Sequence, residues 1–584
     1  MTGFVHPSLL FVLGAALAAV LKGNLRKIAL VALPVIAFLQ VHYMEPGTYS
    51  GVEWLGFRLT PVVDKLTIVF LHVFTLMAII GAVYGLHVED RWQHVSAFLY
   101  VAGSLGVTLA GDYLTLFLFW ELMAFSSTCL VWLRRKPESL AAGYRYLLVH
   151  VAGGLILMGG IFLRYMDVGN FAFGRIPLEQ ANLAAYLILI GFALNAAVPP
   201  IHAWLPDAYP ESTVMGGAFM CAFTTKTAVY VLARAFPGYP VLAVLGAIMT
   251  LYGVGYAIIE NDGRRILSYH IVSQVGYMVC GVGIGTAMAV NGAVAHAYAH
   301  ILYKALLFMG VGAVLEMAGT CRLNELGGLY KRMPLAMLGT VIGGISISGF
   351  PFTSGFVSKS MVVAGAGEAG HLVLMLMLLL ASVGTFLSVG IKLPYFIWFG
   401  EDSGVPAKDP PWNMVLAMGI ASFFCFFLGV YPHYLYKLLP FPVTYEPYTA
   451  YHFSETIQLL GFTGLGFFLL RKKLVPELKV NLDLDWFYRE GALAFVAFAR
   501  NPVGRANEWV SELYRRAGMR FALATAALCS VFDVKVIDGV VDGLAYGVQG
   551  VGDKVRHAQT GRLQQYVAAA VVAFFAILAL VVNY

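Results

Sequence analysis

Charge is what this sequence has least of. Of 584 residues only 12% are Asp, Glu, Lys or Arg, against about a quarter in an ordinary soluble domain. That scarcity, over this length, excludes a water-soluble globule. Cysteine is nearly as sparse: Cys129, Cys221, Cys280, Cys321, Cys425 and Cys529 are scattered, with no CxxC and no metal-ligand spacing. No disulfide framework and no metal site is expected, no cofactor is assigned, and the cysteines read as small apolar packing residues. No Walker loop and no glycine fingerprint between a strand and a helix is present, which leaves nucleotide-driven transport without support. No basic cluster carries interleaved aromatics, so the net charge of +6 is read as basic loops of a membrane protein and no nucleic-acid partner is expected. The first apolar run opens at Pro7 without a basic leader or a small-residue cleavage site, and is read as a retained helix.

What is present is apolar length. Hydrophobic residues make up 59% of the chain and the mean hydropathy is +0.77. Apolar runs of about 20 residues recur throughout, the length that crosses a bilayer as an α-helix. The expected fold is an all-α polytopic membrane protein of about 14–16 transmembrane helices. Candidate spans fall at 8–21, 27–44, 66–86, 95–110, 112–132, 144–164, 183–200, 213–234, 240–259, 265–285, 291–315, 335–363, 371–399, 413–431, 454–470 and 564–583. Alternating them across the membrane collects Lys22/Arg26/Lys27, Arg134/Arg135/Lys136, Arg264/Arg265, Arg322/Lys331/Arg332 and Arg471/Lys472/Lys473 on one side. The positive-inside rule makes that side cytoplasmic and the N-terminus external.

Two spans are interrupted. "AAVPPIHAWLPDAYPEST" places four prolines between Pro199 and Pro210, and "GGISISGFPFTSGFVSK" sets glycines around Pro351. Proline removes a backbone donor, and the polar backbone so freed survives at membrane depth only where protein or water satisfies it. Paired broken helices in two halves of a chain point to inverted repeats flanking a transport path. The chain is divided accordingly: N-terminal helices (1–90), a first half-channel (95–235), a second (240–400), additional helices (413–470), a cytoplasmic or interfacial amphipathic segment (471–563) and a last span (564–584). From Val475 to about Thr560, charge and aromatics mix with apolar residues at helical spacing, with 517–532 also readable as a short membrane dip.

Against this apolar background the buried titratable groups stand out. Glu121 lies deep in "YLTLFLFWELMAFSSTCLVW", Lys226 in "AFTTKTAVYVL", and His296, His300 and Lys304 are spaced by four in "AHAYAHILYKALLFM", which stacks them on one helix stripe. Lys359 follows the second broken helix. An ionisable group at such depth is costly unless paired or hydrated, and a water-joined chain of them is a proton relay. Lys392 reads equally well as a lysine snorkelling to the interface. Asp64, Asp112 and Asp207 lie near helix ends, where capping explains them.

These same segments carry a family resemblance. "GFALNAAVPPIHAWLPDAYPES", "TTKTAVYVLAR", "ENDGRRILSYHIVSQVGY", "HAYAHILYKALLFMGVGAV" and "ISGFPFTSGFVSK" resemble, in order and spacing from about 60 to 400, the proton-translocating antiporter-like subunits. Those occur in respiratory complex I, in membrane-bound hydrogenases and in Mrp-type cation/proton antiporters, and the resemblance most suggests the D-type Mrp component or its hydrogenase relatives. The resemblance implies a proton or Na⁺/H⁺ translocating subunit of a multisubunit complex in a prokaryotic plasma membrane, with any redox chemistry supplied by partner subunits. It also implies roles: Glu121 as the buried glutamate of the fifth span, Lys226 as the lysine of the eighth, His296, His300 and Lys304 as the polar helix of the eleventh, and Lys359 as the charge at the twelfth. His202, Asp207 and Lys392 are additional candidates. One match fails, because Asn195 stands where the family usually has the lysine partner of the glutamate, and an amide does not titrate near neutral pH. Either Lys226 takes over as partner to Glu121, or this half has lost its switch and the chain is a non-pumping scaffold or a partner in an inorganic-carbon uptake complex. The ending "HAQTGRLQQYVAAAVVAFFAILALVV" resembles the last helix of the largest complex I antiporter-like subunit. There a long lateral helix precedes that span; here the stretch is shorter and punctuated by Gly and Pro, which speaks against one continuous helix.

Overall fold

A computed structural model of the chain describes residues 5–54, 57–477 and 481–583. It divides into two compact units, one reaching Leu484 and one from Asp485 onward. Among the described residues twelve helices are long and apolar enough to cross a membrane, and Pro7–Val20, Leu183–Asn195 and Pro334–Ile347 are shorter apolar helices. The chain is a helical multi-pass membrane protein. Among the described residues the named strands lie before the third helix, where Gly47–Thr48 pairs antiparallel with Val62–Val63 and Val52–Trp54 with Phe57–Leu59.

Helix starts follow local chemistry. Asp64, Asp90, Asp112, Asn182, Asp262 and Thr286 each cap a helix by accepting a hydrogen bond from a backbone N–H of its first turn, satisfying donors that the helix itself leaves open. The capping expected of Asp64 and Asp112 is thus observed; Asp207 instead takes both forks of Arg145, at 2.7 and 2.9 Å. Packing follows side-chain size. Pro240–Ile259 and Gly263–Ile284 meet along small residues: a Cβ on Gly246 would lie 2.3 Å from the Cys280 nitrogen, and one on Gly253 would lie 2.5 Å from that of Ser273. Without a hydrophobic force between helices in lipid, such close backbone contact is what joins them.

The core gathers around Ala287–Ala318, which is buried from Ala289 to Val314. It packs against Gly263–Ile284, Ser354–Glu368, Pro334–Ile347, Trp412–Val430 and Val214–Met220. The two interruptions expected from Pro and Gly are present: Leu183–Asn195 stops before the short helix Trp204–Ala208, and Pro334–Ile347 stops before Ser354–Glu368. At the first, the Trp204 indole donates to Leu194 O at 3.0 Å, so a freed carbonyl finds a partner. A third interruption was not expected. The span at 213–234 is split into Val214–Met220 and Thr224–Ala235.

In the second unit the chain is helical without a gap from Asp485 to Ala558, and Leu563–Val582 follows. This overturns the expectation that Gly and Pro would divide the segment. Its π-helical turns at Ala499–Val503, Tyr514–Met519 and Asp533–Asp538 supply the reason: Pro502 sits inside the first, where the wider turn accommodates a residue with no N–H to give.

Candidate functional site

Among the described residues, three of the four buried lysines reach places where helices end. Lys226 Nζ donates to Cys221 O at 2.6 Å, just beyond Val214–Met220, and to Thr225 Oγ1 at 3.0 Å. Lys359 Nζ donates to Ile347 O at 3.0 Å, the last residue of the first half of its broken helix. Lys392 Nζ reaches Ile258 O and Glu260 O, each at 2.7 Å, at the end of Pro240–Ile259. A helix C-terminus offers open carbonyls and the negative end of the dipole, so each break supplies the acceptor its lysine needs. Lys392 is buried, and its partners are these carbonyls and Asn261 Oδ1 at 3.3 Å. Lys304 differs: its Nζ is buried with no hydrogen-bond partner among the described residues.

The expected histidines lie on the same axis. His296 and His300 are fully buried with ring centroids 6.2 Å apart. His296 Nδ1 is 3.3 Å from Ser358 Oγ, one residue before Lys359, and its Nε2 is 3.5 Å from the Tyr303 hydroxyl. His300 has no hydrogen-bond partner for either ring nitrogen among the described residues and is within electrostatic reach of Lys226, Lys304, His296 and His270. The arrangement brings Lys226, Lys304, His300, His296 and Lys359 into one buried file, and adds His270, whose Nε2 is 2.6 Å from Ser388 Oγ. A cavity of about 290 Å³ opens beside Lys359, lined among others by Ser348, Ser382, Tyr445, His452 and Glu455.

The first half is built differently from expectation. Glu121 has no ion-pair partner among the described residues; its Oε1 is buried without a hydrogen bond and rests against Gly154, where a Cβ would lie 2.1 Å away. Lys226 is anchored on Cys221 instead. Asn195 is buried, and its side-chain polar atoms make no hydrogen bond of good geometry among the described residues. Beside it lies His150, a residue that sequence reasoning passed over although "YLLVHVAGGL" carries it in mid-span.

His202, in the first interruption, faces a second missed residue. Its Nε2 is 3.3 Å from Oδ1 of Asp483. Asp483 lies after the Ala450–Leu470 helix and is buried; the Tyr252 hydroxyl donates to Oδ1 and the Tyr269 hydroxyl to Oδ2, the latter at 2.7 Å. Burial alone would raise this carboxyl, but the His202 imidazole and the two phenol donors outweigh it and hold the pKa down at about 2. Nothing in "NLDLDWF" distinguished a buried Asp483 from a solvated one, since its partners arrive from distant helices.

Comparison with known proteins places this geometry. Residues 110–387 match the family model described as NADH:quinone oxidoreductase/Mrp antiporter, TM. The D component of the Na⁺/H⁺ antiporter of Alkalihalophilus pseudofirmus is 32% identical over 330 residues, covering 54% of this chain and 67% of that protein. The N component of the NADH-quinone oxidoreductase of Desulforudis audaxviator is 33% identical over 406 residues, 64% of this chain and 78% of its own. Among solved structures, a chain of the Mrp complex from Dietzia sp. aligns with a TM-score of 0.65 at 23% identity, over 79% of this chain and 94% of that one. A chain of the membrane-bound sulfane sulfur reductase, an archaeal respiratory membrane complex, aligns with a TM-score of 0.70 at 23% identity, over 90% and 99%.

Proposed function

The chain belongs to the NADH:quinone oxidoreductase/Mrp antiporter transmembrane family, and from that premise we propose that it is a proton- or Na⁺/H⁺-translocating subunit of a larger membrane complex. The observation that carries this reading is the buried file from Lys226 through Lys304, His300 and His296 to Lys359. Neighbouring cations in a low-dielectric interior cannot all be charged at once, so protonating one favours release from the next. Anchored lysines hold their ends of the file, while Lys304, with no fixed partner, is the member free to exchange. The cavity beside Lys359 gives water a route to one end.

In this reading residues 95–235 and 240–400 are the two half-channels, each with a helix broken at membrane depth, and they stand as inverted repeats. Partner membrane subunits complete the complex and supply any driving redox reaction. The basic loops face the cytoplasm of a prokaryotic cell and the N-terminus faces outward. Asn195 favours a second reading, a scaffold that no longer pumps through its first half. The test is proton uptake by membrane vesicles carrying the whole complex with Lys304→Ala. Uptake is expected to fall by about a hundredfold with the complex still assembled; undiminished uptake would sink the relay.

A further inference from the structure

Five buried polar atoms on and beside the Pro137–Val168 helix make no hydrogen bond of good geometry among the described residues. They are Glu121 Oε1, both ring nitrogens of His150, and both amide atoms of Asn195. Native interiors leave few such groups unsatisfied, and a cluster of them is a place where water is bound. The helix Pro137–Val168 relates them. Glu121 reaches this helix at Gly154, where only a residue without a Cβ leaves room for the carboxylate. His150 lies four residues earlier, on the same helix face and one turn away. Its ring is wedged between Tyr146 and Trp204, at centroid distances of 4.1 and 4.6 Å, and approaches the Asn195 side chain. Tyr146 continues the polar line: its hydroxyl is 2.9 Å from Ser127 Oγ and comes within reach of Thr224. Thr224 is bonded to Tyr100 at 2.6 Å and opens the helix that holds Lys226.

We propose that His150 is the proton-carrying group of the first half, standing between Lys226 and Glu121 and doing there what the neutral Asn195 cannot. This rests on the translocation reading above. Along this line the proton carriers are Lys226, His150 and Glu121, because Asn195 does not titrate and the phenols of Tyr146 and Tyr100 stay protonated. Imidazolium N–H gives its proton through water to the Glu121 carboxylate, leaving neutral imidazole and a neutral carboxyl. The imidazole is recharged by the Lys226 ammonium, which becomes an amine. Each step moves one proton, and the pair Glu121–His150 never holds two unbalanced charges. The amide of Asn195 orients the intervening water without competing for the proton, and Trp204 and Tyr146 fix the ring.

The test uses vesicles carrying the complete complex, with its amount in the membrane as the measure of assembly. His150→Gln keeps hydrogen-bonding ability and removes titration; it should lower proton uptake by about a hundredfold at normal assembly. The double variant His150→Gln/Asn195→Lys places a titratable cation at the same point and should recover most of the loss. Should His150→Gln fail to assemble, His150→Lys carries the test and is expected to keep uptake within about tenfold of wild type. Normal uptake by assembled His150→Gln would make His150 a packing residue and overturn the proposal, as would a double variant no better than the single, or an assembled but inactive His150→Lys. Lys304→Ala measured in parallel separates the two ideas. If Lys304→Ala is inactive and His150→Gln is normal, only the role of His150 fails; if both transport normally, the translocation reading itself fails.

Discussion

Lysine is cheapest to bury where a helix ends, because open carbonyls and the helix dipole there replace the water it has lost. Lys226, Lys359 and Lys392 each take such a place, and Lys304 does not. Stability and transport should therefore respond in opposite ways to removing the two kinds. Lys226→Met strips Cys221 O of its lysine donor and leaves a buried carbonyl short of a partner, at a cost of about 1–3 kcal/mol. Lys304→Met removes a buried cation that had no partner to lose and fills its space with an apolar chain of similar length, which should be neutral or stabilising. Thermal unfolding of the detergent-solubilised protein measures this: a lower Tm for Lys226→Met and an unchanged or higher one for Lys304→Met. Equal losses in both would mean that Lys304 is held as firmly as the anchored lysines. At this scale the sequence was informative about the charges and silent about their partners. A lysine in an apolar run announces itself, but the carbonyl that receives it lies up to 134 residues away, as for Lys392.

At the scale of elements, legibility depended on whether a break is written into the backbone. Four prolines from Pro199 to Pro210, and Gly349 with Pro351, disrupt the ladder by their own chemistry, and both interruptions were readable. The interruption at Cys221–Phe223 contains neither residue type; it is sustained by the Lys226 side chain taking the Cys221 carbonyl, a tertiary choice with no local signal. The π turns in the helix after Asp485 mislead in the other direction, since they absorb Pro502 where periodicity reads a stop. Asp483 offers a prediction about an element with little regular structure. The chain just before Asp485 is tied to the end of Pro240–Ile259 by Asn261 Nδ2 donating to Glu477 O at 2.6 Å, by Tyr256 to Leu482 O at 3.0 Å, and by the buried Asp483. The Asp483 carboxyl, held near 2 against an ordinary 3.8, contributes stability that is full above about pH 4 and is lost as pH falls toward 2, about 2 kcal/mol in size. Asp483→Asn should lower the Tm at pH 7, and the gap between variant and wild type should narrow below about pH 4 and close only as the pH approaches 2. A gap independent of pH would assign the loss to packing instead of charge.

At the scale of the whole molecule, the basic loops are stitched to one another, which makes the membrane orientation a single question instead of many. Arg134 and Arg264 both donate to Pro210 O, at 2.7 and 2.8 Å. Arg135 pairs with Asp90 at 3.0 Å, Arg91 reaches Ala19 O at 3.1 Å, and Gly263 N donates to Cys321 O at 2.8 Å. Loops near residues 20, 90, 135, 211, 264 and 321 therefore share one face, and the proposed orientation, by the positive-inside rule, predicts that this face is cytoplasmic. Between Glu45 and Arg135 lie three helices, Lys65–Tyr84, Arg91–Leu109 and Tyr113–Trp132, an odd number of crossings, so these two exposed residues belong on opposite sides. Cys129 and Cys529, the two cysteines that are not buried, are first replaced by serine to clear the background. Arg135→Cys gives up only an exposed ion pair, worth under about 1 kcal/mol, and should react with a membrane-impermeant maleimide in inside-out vesicles and not in intact cells. Glu45→Cys should show the reverse. Both labels exchanged would place the basic face outside and reject the positive-inside assignment; both on the same side would mean that one of the three helices between them does not cross.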